Sequence, residues 1–168
     1  MRFSQLINGD SIFIDANIFI YSFGGQSLEC KEILLRCAQG DLNGYTSTSI
    51  LLEILHRLMI AEAIQRGYIT DKNPVRKLKE NCEIIKKLST YNYNVHKINH
   101  MNIEILDITN SFVTSSTEIR ESEGLLTNDS LIAASMKEFK LSKLAQMIMT
   151  LTTYTGLMFI NLLICRFI

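Results

Sequence analysis

The chain has no surplus of either sign of charge, with 17 Lys and Arg against 17 Asp and Glu. That absence excludes the broad basic surface that drives sequence-independent nucleic-acid binding, so any such contact must be local. Paired cysteines are absent too. The four at positions 30, 37, 82 and 165 form no CxxC pair, and their spacing fits neither a zinc site nor a disulfide framework. They read as reduced core residues. Residues 1–10 lack the charged-then-apolar layout and small-residue cleavage site of a secretory leader, which points to the cytoplasm. The glycosylation pattern Asn128-Asp129-Ser130 has meaning only in a secreted chain and is set aside. No internal repeat and no low-complexity segment is present, and 168 residues are enough for one domain to bury a core without disulfides or structural metals.

What is there is an alternation of strand and helix signals. Residues 11–23 form a β-rich apolar run interrupted by Asp15, which reads as a buried parallel strand that ends near that acid and turns. Ser27 is placed to cap a helix through Gln39, stopped by Gly40. Residues 44–47 are short and polar, after which Thr48 or Ser49 is expected to cap an apolar helix running to Gln65. Asn73 and Pro74 open a third helix, in which Val75, Leu78, Cys82, Ile85 and Leu88 recur at helical spacing behind a Lys-rich face. Residues 94–98 read as a short strand, 101–120 as a helix broken by Gly124, and 129–139 as a helix opened by Asn128 or Asp129. Residues 141–145 look like the start of another strand, and the alternation implies a parallel sheet in an α/β fold.

Three acids stand out. Asp15 lies at the end of a strand, where open α/β sheets bind their ligands, and an unpaired carboxylate inside an apolar run needs compensation. A loop or capping role is the plainer alternative. Glu53, between Leu52 and Ile54, is neither plainly core nor plainly solvent, and an i,i+4 pair with Arg57 would explain it equally well. Asp129, alone, reads as a helix cap. Together the three suit a hard divalent cation, which takes oxygen ligands, keeps several waters and bridges to phosphate. His56, His96 and His100 are scattered and read as surface or packing residues.

Three ordered blocks, residues 13–21 (FIDANIFIY), 46–54 (TSTSILLEI) and 124–133 (GLLTNDSLIA), resemble the PIN-domain endoribonucleases, specifically the small VapC-type proteins of prokaryotes. The resemblance covers residues 11–145. It implies a three-layer α/β/α sandwich, a Mg²⁺ or Mn²⁺ site at Asp15, Glu53 and Asp129, and hydrolysis of RNA phosphodiesters, with Asn17 supporting the site by hydrogen bonding. It also implies a small antitoxin partner and a homodimer.

The family pattern fails at the end. A T-x-D-x-D-F-like block with a fourth acid is due after the last helix, yet no charged residue follows Lys143 until Arg166. The chain therefore divides into a PIN-like domain, residues 1–144, and an aberrant apolar tail, 145–168, with the last strand of the sheet missing. Read in the frame that joins the third base of one codon to the first two of the next, Met147-Ile148 and Met149-Thr150 both necessarily encode Asp. The shifted frame accommodates Thr-Asn-Asp-Asn-Asp-Phe, so a single-base shift near Ala145 is the expected cause. An uncharged stretch of about 20 residues could instead span a bilayer. Gln146, Asn161 and several threonines argue against that anchor. If the tail is damage, the chain is either a working metal-dependent nuclease or a remnant that binds antitoxin or RNA without cutting, with an exposed sheet edge that invites aggregation.

Overall fold

A computed structural model describes residues 6–149 and 160–166. The described elements run β1 (Ser11–Ile14), α1 (Ala16–Phe23), α2 (Leu28–Ala38), β2 (Asn43–Ser47), α3 (Thr48–Gln65), α4 (Pro74–Glu80), α5 (Cys82–Lys86), α6 (Thr90–Ile98), β3 (Ile103–Leu106), α7 (Asn110–Glu123), α8 (Thr127–Glu138), β4 (Lys143–Met149) and β5 (Ile160–Arg166). The strands form one sheet in the order β3-β2-β1-β4-β5, the first four parallel and β5 antiparallel to β4. The α/β fold and parallel sheet are as expected. Ile12, Phe13 and Ile14 on β1 are all fully buried. Because successive strand residues point to opposite faces, both faces of the sheet are covered.

Several elements depart from the sequence reading. The second half of the apolar run at residues 11–23 is α1, a helix, because the Asp15 carboxylate accepts from the Asn17 amide and caps it. The polar residues 43–47 are β2, paired with β1 and β3. Its hydroxyls are satisfied inside: Thr46 Oγ1 donates to the Ile14 carbonyl at 3.0 Å, and Ser47, not Thr48 or Ser49, caps α3 by accepting from the Ile50 amide. Residues 94–98 belong to α6, and the strand is β3, inside the stretch read as a helix. Pairing with β2, from Gly44↔Ile103 to Ser47↔Leu106, overrides a four-residue pattern too short to specify itself. The third helix breaks at Asn81 into α4 and α5, and Asn73, at φ 51°, makes no side-chain cap. Cys82 is exposed, unlike buried Cys30 and Cys37; burial pushes the Cys37 thiol up to about 12.

The sheet does not end where the sequence suggested. β4 crosses the boundary at residue 145, and the strand expected to be missing is present as β5, in register with β4 from Lys143↔Arg166 to Met149↔Ile160. The run INLLICR is apolar and carries no charge before Arg166, which is enough for a ladder against β4. β5 therefore covers the β4 edge that the tail reading left open. The rest of the tail, residues 150–159 and 167–168, lies outside the described residues. Among the described residues, no helix is long and apolar enough to cross a membrane.

Gly44 is where β2 comes closest to its neighbours. A Cβ there would meet Cys37 Sγ and Ile103 Cγ1 at 3.0 Å and Ile14 Cδ1 at 3.2 Å. Gly44→Ala is expected to destabilise the fold by about 1–3 kcal/mol through overpacking. Thermal denaturation followed by circular dichroism checks this, and an unchanged melting temperature would count against it.

Candidate functional site

Asp15 sits where β1 ends and α1 begins, and it is only 6% exposed. Its amide donates to the Ala145 carbonyl at 3.0 Å, which ties the acid to β4. Its Oδ2 accepts from the Asn17 amide at 3.4 Å and from Asn17 Nδ2 at 3.1 Å. The capping role, the plainer reading from the sequence, is the one this residue fills in the structure. Burial pushes the Asp15 carboxyl above its ordinary value; the amides of Ala16 and Asn17 oppose this, and the negative charges of Glu53 and Asp129 add to it. Asp15 thus lies within the electrostatic reach of both other acids.

Glu53 arrives on α3, which follows β2 without a loop. Its side chain is 30% exposed, and Oε1 accepts from Arg57 Nη1 at 3.2 Å, the i,i+4 pair foreseen as the plainer alternative. The same Nη1 donates to Asn17 Oδ1 at 2.7 Å. A continuous chain, Asp15–Asn17–Arg57–Glu53, therefore links two of the acids. Asp129 is not a cap: the residue before α8 is Leu126, with no side-chain cap bond, and Asp129 stands in the first turn. There its charge complements the helix dipole. The turn is anchored from α7, where Arg120 Nη1 donates to both Ser116 Oγ and the buried Ser130 Oγ at 3.0 Å.

Asp15, Asn17, Glu53 and Asp129 line one cavity of about 440 Å³, with Leu126, Thr127, Asn128, Ile132 and Gln146 completing the wall. All four residues singled out from the sequence are brought together. Arg57 and Gln146 were missed as site residues. Arg57 was visible only as a partner for Glu53, and Gln146 reaches the cavity because β4 pairs with β1 beside Asp15. His56, His96 and His100 are exposed and line no wall of this cavity. A second cavity of about 450 Å³, between α1, α2 and α6, is lined by Phe23, Leu28, Leu35 and Met101 among others and by no carboxylate.

Among the described residues, no three acidic, histidine or cysteine side chains stand close enough to hold a metal ion as they are arranged. Glu53 is turned to Arg57 and Asp15 to Asn17. The donor chemistry nonetheless fits a hard cation. Three carboxylates around one cavity, mutually repelling, suit Mg²⁺ or Mn²⁺, and Mg²⁺ in particular keeps part of its water shell and does not need an all-protein cage.

The chain is similar to known proteins over most of its length. The chain is 29% identical over 136 residues to Ribonuclease VapC2 of Methanocaldococcus jannaschii, a match spanning 80% of this chain and 83% of that protein. Among solved structures it is similar to a chain of a toxin-antitoxin complex from Klebsiella pneumoniae, at 15% identity and TM-score 0.47 over 87% of this chain and 92% of that one. It is also similar to a chain of VapBC2 from Rickettsia felis bound to a DNA fragment from their promoter, at 16% identity and TM-score 0.48 over 81% and 86%. The model of the PIN domain matches residues 12–146, from the strand before Asp15 to the Gln146 wall of the cavity, and on that match the chain belongs to the PIN domain family.

Proposed function

We propose that this chain is a metal-dependent endoribonuclease, acting as the toxin of a toxin–antitoxin pair or in RNA processing, with Asp15, Glu53 and Asp129 as ligands of Mg²⁺ or Mn²⁺. The observation that carries the reading is that these three acids, delivered by β1, α3 and α8, line a single cavity in a PIN domain. The Asp15 carboxylate accepts hydrogen bonds from neutral Asn17, and the Glu53 carboxylate pairs with the Arg57 guanidinium. A bound cation would supply Lewis-acid stabilisation of a scissile phosphate and ease deprotonation of an attacking water. Asn17 keeps the Asp15 carboxylate aimed by donating to Oδ2, and the first turn of α8 presents Asp129 to the same cavity. The RNA substrate, a small antitoxin protein, a homodimer and a cytoplasmic location belong to the same proposal, as does a frame change near Ala145 as the origin of the tail.

The test is cleavage of a fluorescent single-stranded RNA by the purified chain with Mn²⁺. Activity is expected to vanish in EDTA and to fall by about 10²-fold or more in Asp129→Asn, the scale of losing one preorganised electrostatic group. Mn²⁺ affinity, read by electron paramagnetic resonance, should fall in the same variant. A second reading, a remnant that binds without cutting, is favoured by the neutral Gln146 on the cavity wall where a further acid would add a ligand. Wild type and Asp129→Asn indistinguishable in both measurements would decide for the remnant. Resequencing the codons around Ala145 tests the frame change, and a clean in-frame read with no homology resuming in another frame would sink it.

A further inference from the structure

We propose that Arg57 is the phosphate-binding residue of this site, holding a backbone phosphate of the RNA strand next to the acids. The inference rests on the nuclease reading and deepens it. A chain with no net charge, and with three carboxylates around its cavity, repels a polyanion unless a cation stands at the site. Arg57 has that position: Nη1 donates to Asn17 Oδ1 at 2.7 Å and to Glu53 Oε1 at 3.2 Å, so the guanidinium adjoins two residues of the cavity wall. Both bonds use Nη1. The N–H groups on Nε and Nη2 carry no hydrogen bond among the described residues, and the side chain is 40% exposed. A planar fork with three donors to spare matches the oxygens of a phosphate. The half-buried i,i+4 pair with Glu53 by itself contributes only about 0.2–0.5 kcal/mol to helix stability. Asn17 and Glu53 hold the guanidinium in place before a substrate arrives, which lowers the ordering cost of gripping it.

Fluorescence anisotropy of a labelled single-stranded RNA, titrated with the full chain in EDTA at several KCl concentrations, tests this without turnover. Arg57→Gln is expected to weaken binding about 5- to 10-fold at low salt. It should also reduce the slope of log affinity against log salt by about 0.7, the value for one phosphate on a single strand. Arg57→Lys should keep the slope, because the charge remains, and lose part of the affinity with the fork. Circular dichroism verifies that each variant folds. If Arg57→Gln does not, Arg57→Lys decides: weaker affinity at unchanged slope supports the proposal, and wild-type affinity overturns it. No RNA binding by the wild-type chain, or an Arg57→Gln slope and affinity equal to wild type, also overturns it. Arg57-dependent binding without cleavage in Mn²⁺ would sink the nuclease reading and leave this one standing. Cleavage with Arg57-independent binding would do the reverse.

Discussion

Asp15→Asn is expected to abolish RNA cleavage, by about 10²-fold or more, and at the same time to raise the melting temperature of the metal-free protein. Both effects come from one feature of the fold. Asp15 is buried, and burial is the main reason its carboxyl lies above the ordinary range; the charges of Glu53 and Asp129 push it further. Holding that carboxylate ionised costs stability. Asn has nearly the same shape and is as good a helix cap, so α1 keeps its start and the Asn17 amide keeps an acceptor. What the substitution removes is the charge. The cluster then loses its central repulsion, and the site loses the ligand that would hold a cation. A thermal melt in EDTA should place the variant above wild type. Added Mn²⁺ should stabilise wild type by mass action and leave the variant unmoved. A variant that melts lower in EDTA would contradict the strain argument, and one that still cleaves would contradict the site.

The contrast between what the sequence could and could not reveal follows from where each signal is stored. Asp15, Glu53 and Asp129 were legible because each disturbs a local pattern: an acid in an apolar strand, an acid on a helix between apolar residues, an acid at a helix start. Their convergence needs the sheet order β2-β1-β4, which no local pattern in the sequence carries. β2 was unreadable for a physical reason. In NGYTS only Tyr45 and Thr46 favour a strand, beside Asn43 and Gly44 that disfavour one, and its buried hydroxyls are satisfied by Ile14 and by the start of α3, partners the local sequence does not reveal. α1 was hidden because Ile18, Phe19 and Ile20 favour a strand until Asp15 is recognised as a cap. The last strand was misjudged by composition. The absent acidic block and the uncharged tail pointed to a missing last strand, whereas an uncharged apolar segment is able to add the antiparallel β5 to β4.

Glu62→Ala is the substitution expected to cost the most stability while leaving the site itself unchanged. α6 begins at Thr90 with no side-chain cap of its own, since Ser89 makes none. Its open amides are satisfied from another helix: Glu62 Oε1 on α3 accepts from the Ser89 amide at 3.1 Å and Oε2 from the Tyr91 amide at 2.9 Å. Arg66 Nη2, one turn along, pairs with Glu62 at 2.7 Å and donates to Thr90 Oγ1 at 3.2 Å, while Nη1 donates to the Lys87 carbonyl at 3.2 Å. A carboxylate 27 residues away from the helix it caps is invisible to local pattern, which is why residues 94–98 read as a strand. Alanine would leave two amides beside a 6%-exposed position without their charged acceptor. Hydrogen bonds to charged groups contribute about 1.5–3 kcal/mol each, so a loss of about 2–4 kcal/mol is expected, a fall of roughly 5–15 °C for a domain of this size. The pH dependence has a definite sign. Burial pushes the Glu62 carboxyl up, but the amides of Tyr91, Ser89 and Thr90 and the Thr90 hydroxyl outweigh it and hold the carboxyl below its ordinary value. Its stabilisation is therefore complete above the unfolded-state value and is lost as pH falls through the folded one. Melting curves at neutral pH should separate wild type from Glu62→Ala widely, and the gap should narrow as the pH drops below the ordinary glutamate range. A gap that stays constant down to strongly acid pH would mean that the carboxylate is not what holds α6 to α3.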